Sequence, residues 1–193
     1  MKLQQQFGPI DIYLFDQLLR GRIAPGMRIF DAGCGSGRNL VYFLREGYEV
    51  FGVDQDPHAV ALLPAGNFRV EKIEEMSFPD AFADVVLSSA VLHFARDDRQ
   101  FQAMLRSCWR VLKPGGLFFC RLASSIGIEN QIVQTGGRRY LLPDGSERYL
   151  VDEALLMTFT AELGGQLLDP IKTTVVQNQR SMTTWVLKKK SAA

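Results

Sequence analysis

The sequence predicts an α/β protein with a doubly wound, mostly parallel seven-stranded sheet that ends in an antiparallel hairpin. Short apolar runs alternate with amphipathic segments of helical period, which is typical of βαβ units. One of these runs, residues 84–88, is apolar enough for a strand covered on both faces. Near the C-terminus, two strand-like runs are separated only by the polar residues 177–180, and this spacing predicts the hairpin.

The predicted elements follow one another along the whole chain. We expect strands at 28–32, 49–54, 68–71, 84–88, 117–121, 166–176 and 181–187. We expect helices at 11–19, 38–46, 56–63, 100–112 and 152–163, and the helix at 100–112 has a predicted buried face of Phe101, Met104, Leu105, Cys108 and Val111. Asp56 followed by Pro57 is typical of a helix start, and Gly164 of a helix end. Residues 124–150 are rich in glycine, polar and charged residues, and the segment 143–145, Pro-Asp-Gly, predicts a turn.

Composition restricts the class of protein. The length of 193 residues fits one domain over 1–193, and 47% hydrophobic with 22% charged residues is typical of a globular protein. A net charge of +1 gives no field for steering towards nucleic acid or acidic membranes. Three cysteines lack metal-binding spacing and an even count, so we expect free thiols in a reducing compartment. Since neither a signal peptide nor an apolar run of membrane length is present, we expect a cytoplasmic protein without metal, nucleic-acid or membrane partners; its oligomeric state stays open.

A glycine loop lies between the first predicted strand and helix. In residues 28–39, RIFDAGCGSGRN, the acid Asp31 precedes glycines at three alternate positions. Glycine permits a positive φ and lets the backbone approach a ligand closely. A second acid, Asp54, ends the next strand. Two carboxylates at the ends of neighbouring parallel strands, on either side of a glycine loop, predict a nucleoside-binding crevice.

Two classes of ligand compete for this crevice. The dinucleotide fingerprint G-x-G-x-x-G requires a glycine where this chain has Arg38 or Leu40. A diphosphate is also repelled by Asp31, whereas the ammonium and sulfonium of S-adenosylmethionine are attracted to it. The loop therefore favours S-adenosylmethionine, and a nucleotide-dependent oxidoreductase becomes the weaker alternative.

Three motifs, in order, carry a resemblance to a known family. Residues 31–37, D-A-G-C-G-S-G, resemble motif I of the class I S-adenosylmethionine-dependent methyltransferases. Residues 74–80 and 110–116 resemble the family segments before the fourth and fifth strands, so the resemblance covers about residues 25–122. It implies the Rossmann-like methyltransferase fold, in which the last strand inserts between its neighbours. Residues 34–39 and 47–50 further resemble the small tellurite-resistance or thiopurine type.

Chemistry and this resemblance together assign the cofactor contacts. The candidate residues are Asp31, Gly33, Gly35, Asp54, Gln55, Ile73 and Ser88. The two oxygens of Asp54 suit the ribose hydroxyls, although a helix cap is the alternative role. Ser88 is expected to offer its carbonyl to the methionine ammonium. Lys72 stands where many members have an acid for the adenine amino group, so the backbone of Ile73, or Glu71 or Glu74, would have to serve.

Methyl transfer from a sulfonium is an in-line displacement, which needs alignment and exclusion of water. A base is required only when the acceptor must lose a proton. His93 stands where the family often has a histidine beside the methyl group. It is our candidate catalytic residue, as a base or substrate contact; packing on the crevice wall is the alternative.

Two segments are expected to cover the crevice. Residues 1–24 form a predicted N-terminal helical cap, and 123–151 a predicted substrate lid. The polar and aromatic residues within or next to these segments are Tyr13, Phe15, Arg121, Arg138, Arg139 and Tyr140. Two arginines and a tyrosine among them could hold an anionic or oxygen-rich acceptor, or lie in a solvated loop. Because the lid is small, we expect a small-molecule methyl acceptor, and a non-catalytic S-adenosylmethionine-binding module remains the alternative.

Overall fold

The computed structural model describes residues 2–191, so Met1, Ala192 and Ala193 of the predicted 1–193 domain lie outside the described residues. The helices are α1 Leu3–Phe7, α2 Ile12–Leu19, α3 Val41–Arg45, α4 Pro57–Val60, α5 Asp98–Val111 and α6 Glu153–Glu162. The strands are β1 Arg28–Ala32, β2 Glu49–Asp54, β3 Phe68–Val70, β4 Ala83–Ser89, β5 Leu112–Ala123, β6 Val133–Gly136, β7 Arg139–Leu141, β8 Glu147–Tyr149, β9 Gly165–Leu167, β10 Lys172–Val176 and β11 Arg180–Lys189. Two 3₁₀ turns cover Ile73–Glu75 and Leu92–Phe94.

The main sheet has the order β10-β11-β5-β4-β1-β2-β3. The pairs from β5 to β3 are all parallel, and β11 runs antiparallel to both β5 and β10. The predicted mostly parallel sheet with an antiparallel C-terminal hairpin is therefore confirmed. The last strand also inserts between β10 and β5, as the resemblance implied.

The prediction of seven strands is wrong by one, because the single strand expected at 166–176 is divided. Its first part is β9, which pairs with the C-terminal end of β11, and its second part is β10, which pairs with the N-terminal half. Pro170 lies between the two and has no N–H for a sheet ladder. The carboxylate of Asp169 accepts hydrogen bonds from Arg22 at 2.7 Å and Gln17 at 3.2 Å, which fixes the break in place.

Both faces of the main sheet are covered by buried side chains. On one face, α5 and α6 pack against residues that include Phe118 and Trp185; on the other, α2 and α3 pack against residues that include Phe119. The face of α5 that was predicted to be buried is buried throughout, and consists of Phe101, Met104, Leu105, Cys108 and Val111. The helix begins earlier than predicted because Asp97 caps it, accepting a hydrogen bond from the Gln100 amide.

The first crossover helix is shorter than the predicted 38–46. The glycine loop continues as a series of turns through Leu40, whose amide donates to the Gly37 carbonyl. The side chains of Arg38 and Asn39 are held by tertiary hydrogen bonds to Ser89 and to the Asp11 amide. These contacts compete with helical geometry and delay the start of α3.

A small antiparallel sheet of β6, β7 and β8 occupies the region that the sequence left as a loop. The predicted Pro143-Asp144-Gly145 turn joins β7 to β8, and Gly145 has a φ of +80°. The ring of Tyr149 stacks on Phe101 with centroids 4.6 Å apart, and this contact attaches the small sheet to α5.

The indole of Trp185 offers a direct test of the core. It is fully buried, and its Nε1–H donates to Thr160 Oγ1 at 3.0 Å. We expect Trp185→Ala to lower the free energy of unfolding by about 3–5 kcal/mol in urea titrations, because it leaves a large cavity and removes the hydrogen bond from the indole to Thr160. The control is Val175→Ala on the exposed side of β10, and a loss below about 1 kcal/mol for Trp185→Ala would contradict this packing.

Candidate functional site

A cavity of about 340 Å³ opens where β1, β2, β3 and β4 end, which is the expected ligand position in a doubly wound sheet. Four of the seven predicted cofactor contacts line it: Gly33, Asp54, Gln55 and Ile73. The other lining residues are Arg38, Glu71, Lys72, Glu74, Ser89, Ala90, Val91, Phe94, Gln100 and Met104.

The glycine loop presents bare backbone to this cavity. Gly33 has a φ of +87°, and a Cβ added there would lie 2.4 Å from Val91 Cγ2. The amides of Gly33 and Cys34 donate to the Val53 carbonyl at 2.8 and 3.0 Å, which ties the loop to β2. Only glycine fits this position, since any side chain would meet both the strained backbone angle and the Val91 side chain.

Asp54 braces the same loop from the end of β2. Its Oδ2 accepts from the Gly35 amide at 2.8 Å, and its Oδ1 accepts from the Asp56 amide at 3.0 Å. The cap of α4 is Asp56, which accepts from the His58 amide. Asp54 thus lines the cavity while holding the backbone on either side of it, and each carboxylate oxygen keeps acceptor capacity for a ligand hydroxyl.

Asp31 lies behind the loop and does not line the cavity. Its side chain is almost fully buried, and Oδ1 has no hydrogen-bond partner within residues 2–191. Burial raises the pKa of Asp31 to about 7; the Arg38 guanidinium opposes this rise and the charge of Asp54 adds to it. A cation bound at the loop would stabilise the ionised carboxylate, so this acid suits a positively charged ligand.

Two acids after β3, Glu71 and Glu74, line the far end of the cavity. They differ in how many of their carboxylate oxygens already accept a hydrogen bond. Glu71 accepts from the amide and hydroxyl of Ser77 through its two oxygens, at 2.8 and 2.6 Å. Glu74 accepts from Gln100 Nε2 at 2.7 Å through one oxygen only. The pair of Glu74 and Gln100 therefore offers both an acceptor and an amide beside the buried side chain of Ile73.

The segment after β4 differs from the expectation for Ser88. Ser88 is fully buried inside the sheet and is absent from the cavity wall, because β4 continues to Ser89. Ser89 and Ala90 line the cavity instead, and Ala90 has a φ of +65°, unusual for a residue with a side chain. Such strain recurs at ligand sites and marks Ala90 as part of this one. Any carbonyl offered by this segment to a ligand in the cavity comes from Ser89 or Ala90.

His93 lies beside the cavity without lining it. Its side chain is buried, and Nδ1 accepts a hydrogen bond from the Ala123 amide at 3.1 Å. Burial, followed by the charges of Arg148 and Arg121, lowers the pKa of His93 to about 4, so the ring is neutral near pH 7 with its proton on Nε2. This arrangement matches the packing interpretation, since the nitrogen that could accept a proton is already engaged.

Sequence reasoning missed several residues of the cavity wall. Arg38 follows the glycine loop directly, and its position beside an acidic pocket was the one signal available. Phe94 and Gln100 gave no signal, and Met104 fitted the helical core pattern. In residues 2–191, no group of histidine, cysteine or acidic side chains could hold a metal ion. No helix in this described range is long and apolar enough to cross a membrane.

Comparison with known proteins shows which family this chain is similar to. A family model described as a methyltransferase domain matches residues 30–120. Those residues run from β1 through β5 and hold every lining residue of the cavity. Over these residues the chain is similar to class I S-adenosylmethionine-dependent methyltransferases.

Similar proteins occur among curated proteins and solved structures. An uncharacterized methyltransferase of Synechocystis is 33% identical over 100 residues, covering 50% of this chain and 47% of the relative. A ubiquinone biosynthesis O-methyltransferase of Bradyrhizobium is 30% identical over 155 residues, covering 69% and 60%. The structure of a methyltransferase from Methanosarcina mazei superposes with a TM-score of 0.75 at 19% identity, covering 91% of this chain and 98% of that one. The chain spans about half the length of the curated relatives it matches.

The buried acid Asp31 predicts a pH-dependent stability. Because the pKa of Asp31 rises from 3.8 to about 7 on folding, the folded state retains a proton that the unfolded chain has released. Relative to Asp31→Asn, the ligand-free wild type should therefore lose free energy of unfolding as the pH rises from about 4 to about 7, by up to about 1.4 kcal/mol per pH unit. Urea titrations across this range test this, with Asp80→Asn, an exposed acid, as control. A difference between wild type and Asp31→Asn that does not change with pH would contradict the buried acid.

Proposed function

We propose that this protein transfers a methyl group from S-adenosylmethionine to a small-molecule acceptor by in-line displacement. The observation that carries the proposal is the pair of acids, Asp31 and Asp54, on either side of a glycine loop whose backbone lines the cavity. The loop has no room for a Cβ at Gly33, and Asp31 Oδ1 is an orphaned buried acceptor, so the residues present fit a cationic nucleoside.

The residues of the cavity have distinct roles in this proposal. Asp54 would hold the ribose hydroxyls, while Glu74 and Gln100, with Ile73 and Gln55 beside them, would border the adenine. Asp31 would balance the positive charge of the methionine part, and the backbone of Gly33, Ser89 and Ala90 would contact it. These assignments extend the predicted contacts, with Ser89 in the place first given to Ser88.

Catalysis is proposed to depend on alignment. Bound here, S-adenosylmethionine supplies a methyl group on a sulfonium that needs no acid to activate it. The enclosing residues hold the acceptor in line and exclude water, which can account for a large part of a rate enhancement. His93 supports this view, because its Nδ1 is bonded to the Ala123 amide and its ring packs at 4.6 Å from Phe94. In this proposal, His93 packs on the wall of the crevice. A direct catalytic contact is the alternative, and the His93→Asn substitution distinguishes the two roles.

Contacts of the two covering segments support their proposed roles as cap and lid. In the cap, 1–24, the Asp11 amide donates to Asn39 Oδ1 at 3.0 Å, next to the glycine loop. In the lid, 123–151, Arg139 donates to the Ala95 carbonyl at 3.0 Å, and the Arg148 guanidinium lies 4.8 Å from the ring centroid of Phe94. Phe94 itself lines the cavity. Both segments therefore adjoin the place where an acceptor would meet the methyl group.

Two finer assignments belong to the same proposal. The segments 34–39 and 47–50 support membership of the small tellurite-resistance or thiopurine type. The three cysteines are free and buried, and burial raises the pKa of the Cys34 thiol, which supports a reducing, cytoplasmic location and a filling role for that side chain.

Binding and turnover test the proposal separately. We expect S-adenosylmethionine and S-adenosylhomocysteine to raise the melting temperature, and NAD to leave it unchanged. Labelled methyl turnover on a panel of thiols, oxyanions and amines should then identify an acceptor. Stabilisation by NAD alone would favour the oxidoreductase, and binding without turnover on any acceptor would favour the non-catalytic module.

The ribose role of Asp54 gives a specific binding prediction. We expect Asp54→Asn to weaken S-adenosylmethionine binding by about 1–3 kcal/mol in calorimetry, because it removes one charged acceptor. Asp56→Ala is the matched control, since it removes a neighbouring helix cap that is absent from the cavity wall. Equal affinities of wild type and Asp54→Asn would refute the role.

His93→Asn separates packing from catalysis. The asparagine Oδ1 can replace Nδ1 as acceptor for the Ala123 amide, while the Nε2–H is lost. With the acceptor found in the panel, we expect kcat to stay within about tenfold of wild type. A loss of about 10²–10⁴-fold, the usual contribution of general acid–base catalysis, would instead establish a catalytic role.

A further inference from the structure

A row of polar side chains crosses the sheet beside the cofactor cavity. Ser89 on β4, Arg121 on β5 and Thr184 on β11 are in register with one another. Residues in register on neighbouring strands point to the same face of a sheet. Since Ser89 lines the cavity, this row leads from the cavity to the space under α2.

Arg121 has only part of its guanidinium engaged. Nη1 donates to Asp11 Oδ2 at 3.1 Å, and the guanidinium lies 5.5 Å from the ring centroid of Tyr13. Nε is buried and has no hydrogen-bond partner in the part of the chain that the structure describes, and Nη2 has none there either. Nε and Nη2 together form the planar edge of arginine that matches a carboxylate in a bidentate pair.

Thr184 adds a second unsatisfied group next to this edge. The residue is 4% exposed, and its Oγ1 has no hydrogen-bond partner within the described residues. An unsatisfied buried polar group costs about 1–3 kcal/mol, and native structures contain few of them. Two such groups on paired residues indicate a place that a polar ligand atom fills.

The charges around this row favour an anion. Arg38 donates to Ser89 Oγ at 3.1 Å and Arg148 lies over Phe94, and neither forms an ion pair within residues 2–191. Arg121 and Arg148 both act on His93, whose pKa is lowered chiefly by burial and further by these two charges. Asp11 is paired with Arg121, and the Arg38 guanidinium acts on the buried Asp31 carboxyl, so Arg148 adds positive charge near this row without an ion-pair partner in the described residues.

We propose that the Nε–Nη2 edge of Arg121 binds a carboxylate of the methyl acceptor, with the Thr184 hydroxyl donating to the same group. The inference rests on the proposed methyl transfer for its statement that the ligand is the acceptor. Arg121 is then a positioning residue that selects acidic acceptors and orients them beside Ser89 and the methyl group. Asp31 and Asp54, at the other end of the crevice, would hold the cationic S-adenosylmethionine. The cationic cofactor and the anionic acceptor would therefore bind at opposite ends of the crevice.

The test compares acids with neutral isosteres on the full chain saturated with S-adenosylhomocysteine. The probes are benzoate, 4-hydroxybenzoate and succinate, each beside its amide, with calorimetry for affinity and the ¹⁵N-edited Nε–H signal of Arg121 for position. We expect at least one acid to bind tenfold or more tightly than its amide and to shift that signal. Arg121→Gln should abolish the preference and Thr184→Val should weaken it. Arg106→Gln is the matched control and should preserve the preference, because within residues 2–191 the exposed Arg106 on α5 pairs only with Glu162 at the end of α6.

Variants that fold poorly are recognised by their affinity for S-adenosylhomocysteine, which should stay within twofold. If Arg121→Gln fails this check, the double variant Asp11→Asn/Arg121→Gln removes both charges of the pair, and Arg121→Lys keeps the charge without the edge. The proposal is overturned if wild type binds acids and amides equally, or if the preference for acids survives the loss of Arg121. Ordered water would then satisfy the unpaired groups of Arg121 and Thr184. Should S-adenosylhomocysteine itself fail to bind, the same titrations on the ligand-free protein still decide the carboxylate site, while the proposed methyl transfer falls.

Discussion

The carboxylate of Asp54 holds together the parts of the molecule on which the site depends. One oxygen accepts from the glycine loop after β1, and the other accepts from the backbone that leads into α4. The two loops follow neighbouring parallel strands, and the bonds of the Gly33 and Cys34 amides to the Val53 carbonyl add to this attachment. By fixing both, a single side chain sets the width of the crevice and places its own remaining lone pairs inside it. The same acid is therefore a structural brace and the proposed ligand contact.

A second network joins the covering segments to this centre. Asp11 caps α2, receives support from Asn39 at the end of the glycine loop, and pairs with Arg121 at the end of β5. The three residues come from distant parts of the sequence and meet only at the C-terminal edge of the sheet. Movement of the N-terminal cap would change the position of both the cofactor loop and the arginine.

The sequence predicted what depends on local pattern. The order and type of the elements, the buried face of α5 and the glycine loop all follow from periodicity, capping and spacing, and they are confirmed. The division of the strand at 166–176 depended on Pro170 and on the tertiary contacts of Asp169, and these contacts are not visible in a pattern. The small sheet of β6, β7 and β8 was not predicted, because its strands are short and largely exposed and so lack the alternation of apolar and polar residues.

The residues of the site were also predicted only in part from the sequence. Gly33, Asp54 and Gln55 follow from their positions at the ends of strands, and Ile73 follows from the family resemblance; all four line the cavity. The predicted contact Ser88 lies one residue before the cavity wall. The end of a strand is set by its pairing, and β4 stays paired with β5 through Ser89. Phe94, Gln100 and Met104 reach the cavity from the 3₁₀ turn after β4 and from α5, and only the packing of that helix brings them there.

The insertion of β11 between β10 and β5 has a consequence for how the chain assembles. β11 is the last strand in sequence among those described, yet it occupies an interior place in the sheet and pairs with strands on both sides. Its pairing with β5 joins residues between 59 positions (Ala123 and Met182) and 71 positions (Leu117 and Lys188) apart, and contacts between distant segments form slowly. During synthesis, the parallel half of the sheet and its glycine loop can emerge from the ribosome long before the other half is able to close. The cofactor end of the crevice is thus available for assembly early, whereas the edge between Arg121 and Thr184 exists only once the final strand has docked.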